Sequence, residues 1–250
     1  MISRIIIVTI SLLYSNSLFA QDDRRDITGY KEYTKSSGEI IGNDAIPFEA
    51  VLATDEQYKW SVYIPKGYDS SKPPGILVHI TERNQANMPF GWESAMDDKN
   101  LIWISMNKVG RLPQNKEMLL TVLAAPLIES QYSINPDRVY IAASTDGCHP
   151  ASAAMQVYPT IFKGAIYATC LPINWRNDTP DTIELMRNNR YVFIASKEQD
   201  IRQQMRRSYR KYTNSDFENV EFINVPDLIY GKSIKRRRLL DAIEILDSRD

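Results

Sequence analysis

Six short apolar runs separated by helical segments constrain this chain more than any other feature. They are Gly75 to Ile80, Leu101 to Met106, Arg138 to Ala143, Lys163 to Cys170, Arg190 to Ala195 and Val220 to Val225. Each is rich in Val, Ile or aromatic residues. Near-continuous apolar runs belong to strands covered on both faces, which is the mark of a parallel sheet. Most are separated by segments of helical length: Pro89 to Asp98, Lys116 to Gln131, Gly147 to Val157, Thr179 to Asn188, Ile201 to Tyr212 and Ser233 to Leu246. In the last of these, Ile234, Leu239, Ala242, Ile243 and Leu246 share one side. Pro126 should kink or divide the second. Tyr58 to Ile64 alternates with period two, as an antiparallel edge strand does, and Ile46 to Thr54 is a weaker candidate for its partner. The implied fold class is α/β, a mostly parallel, doubly wound sheet preceded by antiparallel strands.

The chain's 250 residues, 43% hydrophobic and 24% charged, suit one globular domain. A formal net charge of -1 gives no overall field toward nucleic acid or an anionic membrane. Residues 1–20 read as a signal peptide. Arg4 supplies the positive region, Ile5 to Leu13 the apolar stretch, and Ser17-Leu18-Phe19-Ala20 the cleavage site. The apolar stretch falls short of the about 20 residues a spanning helix needs. The expectation is a secreted or periplasmic protein with no membrane span after cleavage, a loosely held polar arm over residues 21–43, and a folded domain over 44–250.

From Ile134 to Cys170 the text reads INPDRVYIAASTDGCHPASAAMQVYPTIFKGAIYATC. Asn135-Pro136-Asp137, Arg138-Val139-Tyr140-Ile141, Tyr158-Pro159, Phe162 and Gly164 resemble the esterase family related to polyhydroxybutyrate depolymerases, whose fold is that of the α/β-hydrolases. In that family an Arg-Val-Tyr strand leads to a Gly-x-Ser-x-Gly elbow, a sharp strand-to-helix turn with the nucleophile at its tip. The resemblance lays the elbow on Ala143-Ser144-Thr145-Asp146-Gly147, with Thr145 at the nucleophile position. Ser144 is the alternative if the strand register slips by one. The acid position falls on Asp200 and the histidine position on Tyr230. Oxyanion-hole donors fall at Asp146 and at Thr81, beyond the strand that holds His79. A β-branched residue suits a positive-φ tip poorly. A phenol titrating near ~10 is also a poor base at neutral pH, where imidazole near ~6.5 serves. The resemblance therefore implies a degenerate triad.

The chain has two histidines. His79, inside an apolar strand, reads as a hydrogen-bonded core residue. His149 lies three residues after Asp146 on the elbow helix and could meet a ligand with it. Two such ligands make no metal site, and nothing calls for a cofactor. The strand ending at Cys170 should run beside the elbow strand, which favours a Cys148–Cys170 disulfide over a pair of buried thiols. Trp175 follows in a loop at the carboxyl end of a strand, where open α/β sheets bind ligands. Arg202, Arg206, Arg207, Arg210, Lys211 and Lys235 to Arg238 could engage a polyanion, although a solvated helical face is the simpler reading and nucleic acid is not favoured. The resulting expectation is an α/β-hydrolase-like protein that binds an ester, a glycan or a protein in its cleft without turnover. An active carboxylic-ester hydrolase using Thr145 or Ser144, with His149 as base, is the first alternative. A polyanion-binding adaptor is the second.

Overall fold

The apolar runs meet in the interior of one sheet in the computed structural model, which describes residues 27–80, 86–107, 112–172 and 180–248. The strands are β1 (Gly29–Lys35), β2 (Tyr58–Ile64), β3 (Gly75–Ile80), β4 (Leu101–Asn107), β5 (Val139–Ser144), β6 (Gly164–Ala168), β7 (Arg190–Ala195) and β8 (Val220–Asn224). Their spatial order is β1-β2-β4-β3-β5-β6-β7-β8. β2 pairs antiparallel with β1 and β4, and every pairing from β4 to β8 is parallel. Seven helices accompany the strands among the described residues, and the five that lie between β3 and β8 supply the crossovers that parallel neighbours need. The seven are α1 (Ser37–Ile41), α2 (Trp92–Lys99), α3 (Gln114–Glu129), α4 (Cys148–Val157), α5 (Pro180–Arg187), α6 (Gln199–Thr213) and α7 (Arg236–Asp247).

Strand periodicity divides the core into two layers. Ile76, Val78, Ile104, Ile141, Tyr167 and Phe193 pack with Leu120, Ala151, Met186 and Met205, so α3 to α6 cover one face. Leu77, Trp103, Tyr140, Ile166 and Val192 pack with Trp92, Met96, Leu239 and Ile243, so α2 and α7 cover the other. β3 and β6 are buried along their whole length because both of their faces are covered.

Three expectations are corrected. The partner of β2 is β1, not Ile46 to Thr54, and β1 lies inside the segment read as a loosely held arm. Its residues are polar because an edge strand with alternate residues exposed has little apolar surface to hide. The stretch Gly42–Phe48 is instead a 3-10 turn. Pro126 does not divide α3. It sits in the last turn, where one backbone bond is lost, and the Ser130 N–H still donates to its carbonyl at 3.0 Å. The last helix begins at Arg236 rather than Ser233, which frees residues 231–235 to form a loop at the sheet's C-terminal edge.

At the opposite edge, a charged network locks β5 to both helices of one face. Arg138 donates two hydrogen bonds of 2.7 Å to the Asp247 carboxylate and a third of 2.9 Å to the Lys99 carbonyl. The Tyr140 hydroxyl donates to the same carboxylate at 2.8 Å. Truncating one partner strands the others in a partly buried place. Asp247→Ala should lower stability by about 2 kcal/mol in urea melts, and a loss indistinguishable from zero would mean that helix packing alone holds β5 in place.

Candidate functional site

Parallel strands deliver their carboxyl ends to one side of the sheet, and there β5 turns sharply into α4. Ser144 is still extended, at φ -138° and ψ 156°, and remains in register with Ala168 of β6. Thr145 takes φ +50°, and a 3-10 turn over Thr145–Gly147 carries the chain into the helix. Thr145 is therefore the tip of the turn, and Ser144 is the last residue of the strand. A left-handed conformation costs an L-residue about 1–2 kcal/mol, and a β-branched side chain adds crowding. Gly147 lets the turn close: a Cβ there would stand 2.9 Å from the Ile80 carbonyl of β3. A disulfide joins Cys148 to Cys170, with Cα atoms 5.9 Å apart, so the start of α4 is bonded to the chain just beyond β6. The residue before Cys170, Thr169, is also left-handed, at φ +55°.

Above the turn lies a cavity of about 430 Å³. His79, Ser144 and Thr145 form its floor, Met88 and Phe90 one wall, and Lys232, Ser233 and Lys235 the other. The second wall belongs to the loop between β8 and α7. It is held by Trp92, whose indole N–H donates to the Ile234 carbonyl at 2.9 Å. Trp92 also packs on His79, with ring centroids 4.8 Å apart, and Trp103 lies against the same imidazole at 5.9 Å. His79 is only 7% exposed, and its Nδ1 has no hydrogen-bond partner among the described residues. Burial among apolar rings pushes its pKa down to about 4, so the imidazole is neutral at pH 7.

The other residues expected at the site are arranged less favourably. Asp146 and His149 are exposed, and neither lines the cavity. Asp200 is exposed in the first turn of α6. Glu198, which the sequence reading passed over, is the carboxylate that touches the Tyr230 loop: it accepts the Tyr230 N–H at 3.2 Å. The Lys197 N–H donates to the Leu228 carbonyl at 2.8 Å, so the loops after β7 and β8 are stitched together at adjacent residues. Tyr230 itself is 44% exposed, while the loop lines the cavity from Gly231 onward. Thr81 and Trp175 lie outside the described residues, as does the segment 1–20 expected to be a signal peptide. Among the described residues, no group of three or more His, Cys, Asp and Glu side chains is placed to hold a metal ion. No helix there is long and apolar enough to cross a membrane.

No family model and no curated protein sequence matches the chain. Solved structures resemble it in fold. A ferulic acid esterase matches with a TM-score of 0.60 at 12% identity, over 88% of this chain and 98% of that one. Fluorophosphonate-binding serine hydrolase F of Staphylococcus aureus matches at 0.61 and 12% identity, over 88% and 99%. One of two fungal esterases from Rhizomucor miehei matches at 0.63 and 10% identity, over 88% and 82%. The chain spans about a third, 35%, of Porphyromonas gingivalis dipeptidyl peptidase 4, which it matches at 0.61 and 12% identity. It spans 60% of a thermostable esterase. With the strand order and the sharp turn after β5, these likenesses show an α/β-hydrolase fold.

Two measurements probe this geometry. Thr145→Gly relieves the left-handed tip and should raise stability by about 1 kcal/mol; a comparable loss would mean the turn carries no strain. His79 titrates at about 4 when folded and near 6.5 when exposed, so the unfolded chain takes up the proton first as pH falls. Its contribution is complete above pH 6.5 and is lost between 6.5 and 4, a span worth about 3 kcal/mol. Urea melts across this range should lose that part of their slope in His79→Phe. An unchanged slope would assign the acid sensitivity to other groups.

Proposed function

We propose that this chain is a secreted or periplasmic relative of the polyhydroxybutyrate-depolymerase-like esterases that keeps the cleft and has lost the hydrolytic machinery. Its cleft then binds an ester, a glycan or a protein segment. The observation that carries this reading is the position of the chain's two imidazoles. His79 is buried beneath the cavity with its pKa pushed down to about 4, and His149 is exposed on the outer side of the elbow helix. A histidine mechanism needs a base that can both take and return a proton near neutral pH, within hydrogen-bond reach of the nucleophile. A group titrating at about 4 is a weak base at pH 7, and Tyr230 offers a phenol on an exposed stretch of loop. Thr145 at the tip adds a hindered secondary alcohol where a hydrolase of this kind has a primary one. The neighbours named as esterases support an ester-type ligand.

The active alternative keeps one observation in its favour: Ser144, Thr145 and His79 line the same cavity. Incubation with a fluorophosphonate probe, followed by mass spectrometry and an assay on short-chain p-nitrophenyl esters, separates the two. The expected outcome is no adduct and no turnover from a protein that melts cooperatively. Labelling at Ser144 or Thr145 would establish an activated nucleophile and discard the degenerate reading.

A further inference from the structure

The stretch from Lys232 to Arg238 concentrates positive charge in a chain whose formal net charge is -1. Lys232, Lys235, Arg236, Arg237 and Arg238 are all cations, with no acid among them. Like charges held this close repel unless each finds a counter-ion. Three of them do. Lys235 pairs with Asp227 at 2.8 Å, Arg238 with Asp241 at 2.9 Å, and Arg236 with Asp98. The Lys232 and Arg237 side chains have no such partner among the described residues, and both line one cavity of about 430 Å³.

That cavity lies within the loop from β8 into α7. It shares Lys232 to Lys235 with the cleft above the elbow but includes none of His79, Ser144 and Thr145. Its shape is fixed from several sides: the Asp227–Lys235 pair ties its two ends together, and the Leu228 and Ile234 carbonyls accept the Lys197 N–H and the Trp92 indole N–H. Ile229, 44% exposed, adds an apolar surface to the lining. An arginine fork can give two parallel hydrogen bonds to a phosphate, and an ammonium adds a point charge. A dianion satisfies both free cations at once, whereas a monoanion leaves one of them without a partner.

We propose that this second cavity binds a small organic phosphate monoester, its dianionic phosphate held jointly by Arg237 and Lys232 and its organic part resting against Ile229. The volume falls in the range of small-molecule sites. Such a site needs no catalytic group, so its occupancy is independent of turnover in the neighbouring cleft.

Calorimetric titration of the full chain with phenyl phosphate, phenyl sulfate and inorganic phosphate tests the site. Phenyl phosphate should bind about fivefold more tightly than the monoanionic sulfate, the scale of one exposed ion pair. It should exceed inorganic phosphate, which has no apolar body, by about the same factor. Lys232→Gln and Arg237→Gln should each weaken phenyl phosphate about fivefold at unchanged melting temperature. The protein carrying both changes should bind phosphate and sulfate esters equally. Arg207→Gln, at an exposed position of α6, should change nothing. Four results would each overturn the proposal: equal affinity for phenyl phosphate and either comparison ligand, a preference that survives the double change, dependence on only one of the two cations, or no binding of phenyl phosphate at millimolar concentration.

Discussion

The parallel pairing of β3 with β5 is the contact on which the site depends. Ile80 lies in register with Ala143, and one turn later Gly147 packs against the Ile80 carbonyl so closely that no side chain fits between them. That approach accompanies the sharp reversal at Thr145, a residue of the cavity lining. It also sets the imidazole of His79, one residue before Ile80, directly beneath the turn. Everything else around the cleft attaches to this pair of strands: β6 through the disulfide, α2 through Trp92, and the β8–α7 loop through the indole bond to Ile234.

The interior of the fold was legible because it obeys simple periodicity. β3 and β7 coincide with the apolar runs that announced them, and burial on both faces explains why those runs are apolar nearly throughout. The edge was not legible. β1 carries Lys31, Glu32 and Lys35 in a strand whose alternate residues face solvent, so its hydrophobic signal is too weak to separate from a disordered arm. The left-handed tip at Thr145 was readable only through the elbow motif, since threonine rarely adopts that conformation. The cleft's own chemistry was the hardest to read. Lys232 and Phe90 belong to loops, where position depends on tertiary anchoring. Glu198 lay two residues from the carboxylate that the motif favoured.

Placed together, these features describe an α/β-hydrolase fold whose polar groups lie on separate loops and strands. The Glu198 carboxylate accepts the Tyr230 backbone N–H and so joins the loop after β7 to the loop after β8. The imidazole that lines the cleft comes from β3, and burial pushes its pKa down to about 4. The fold, its left-handed turn and its cavity do not by themselves fix the chemistry.

The Cys148–Cys170 bond makes the two sides of the cleft mechanically unequal. On one side, α4 is welded to β6 and cannot slide. On the other, the loop between β8 and α7 is held by the Trp92 bond and the Lys235–Asp227 pair, both of which can break and re-form quickly. The cleft is thus a vice with one fixed jaw. The lysine-bearing loop is tethered by non-covalent bonds alone, whereas the elbow side carries a covalent one.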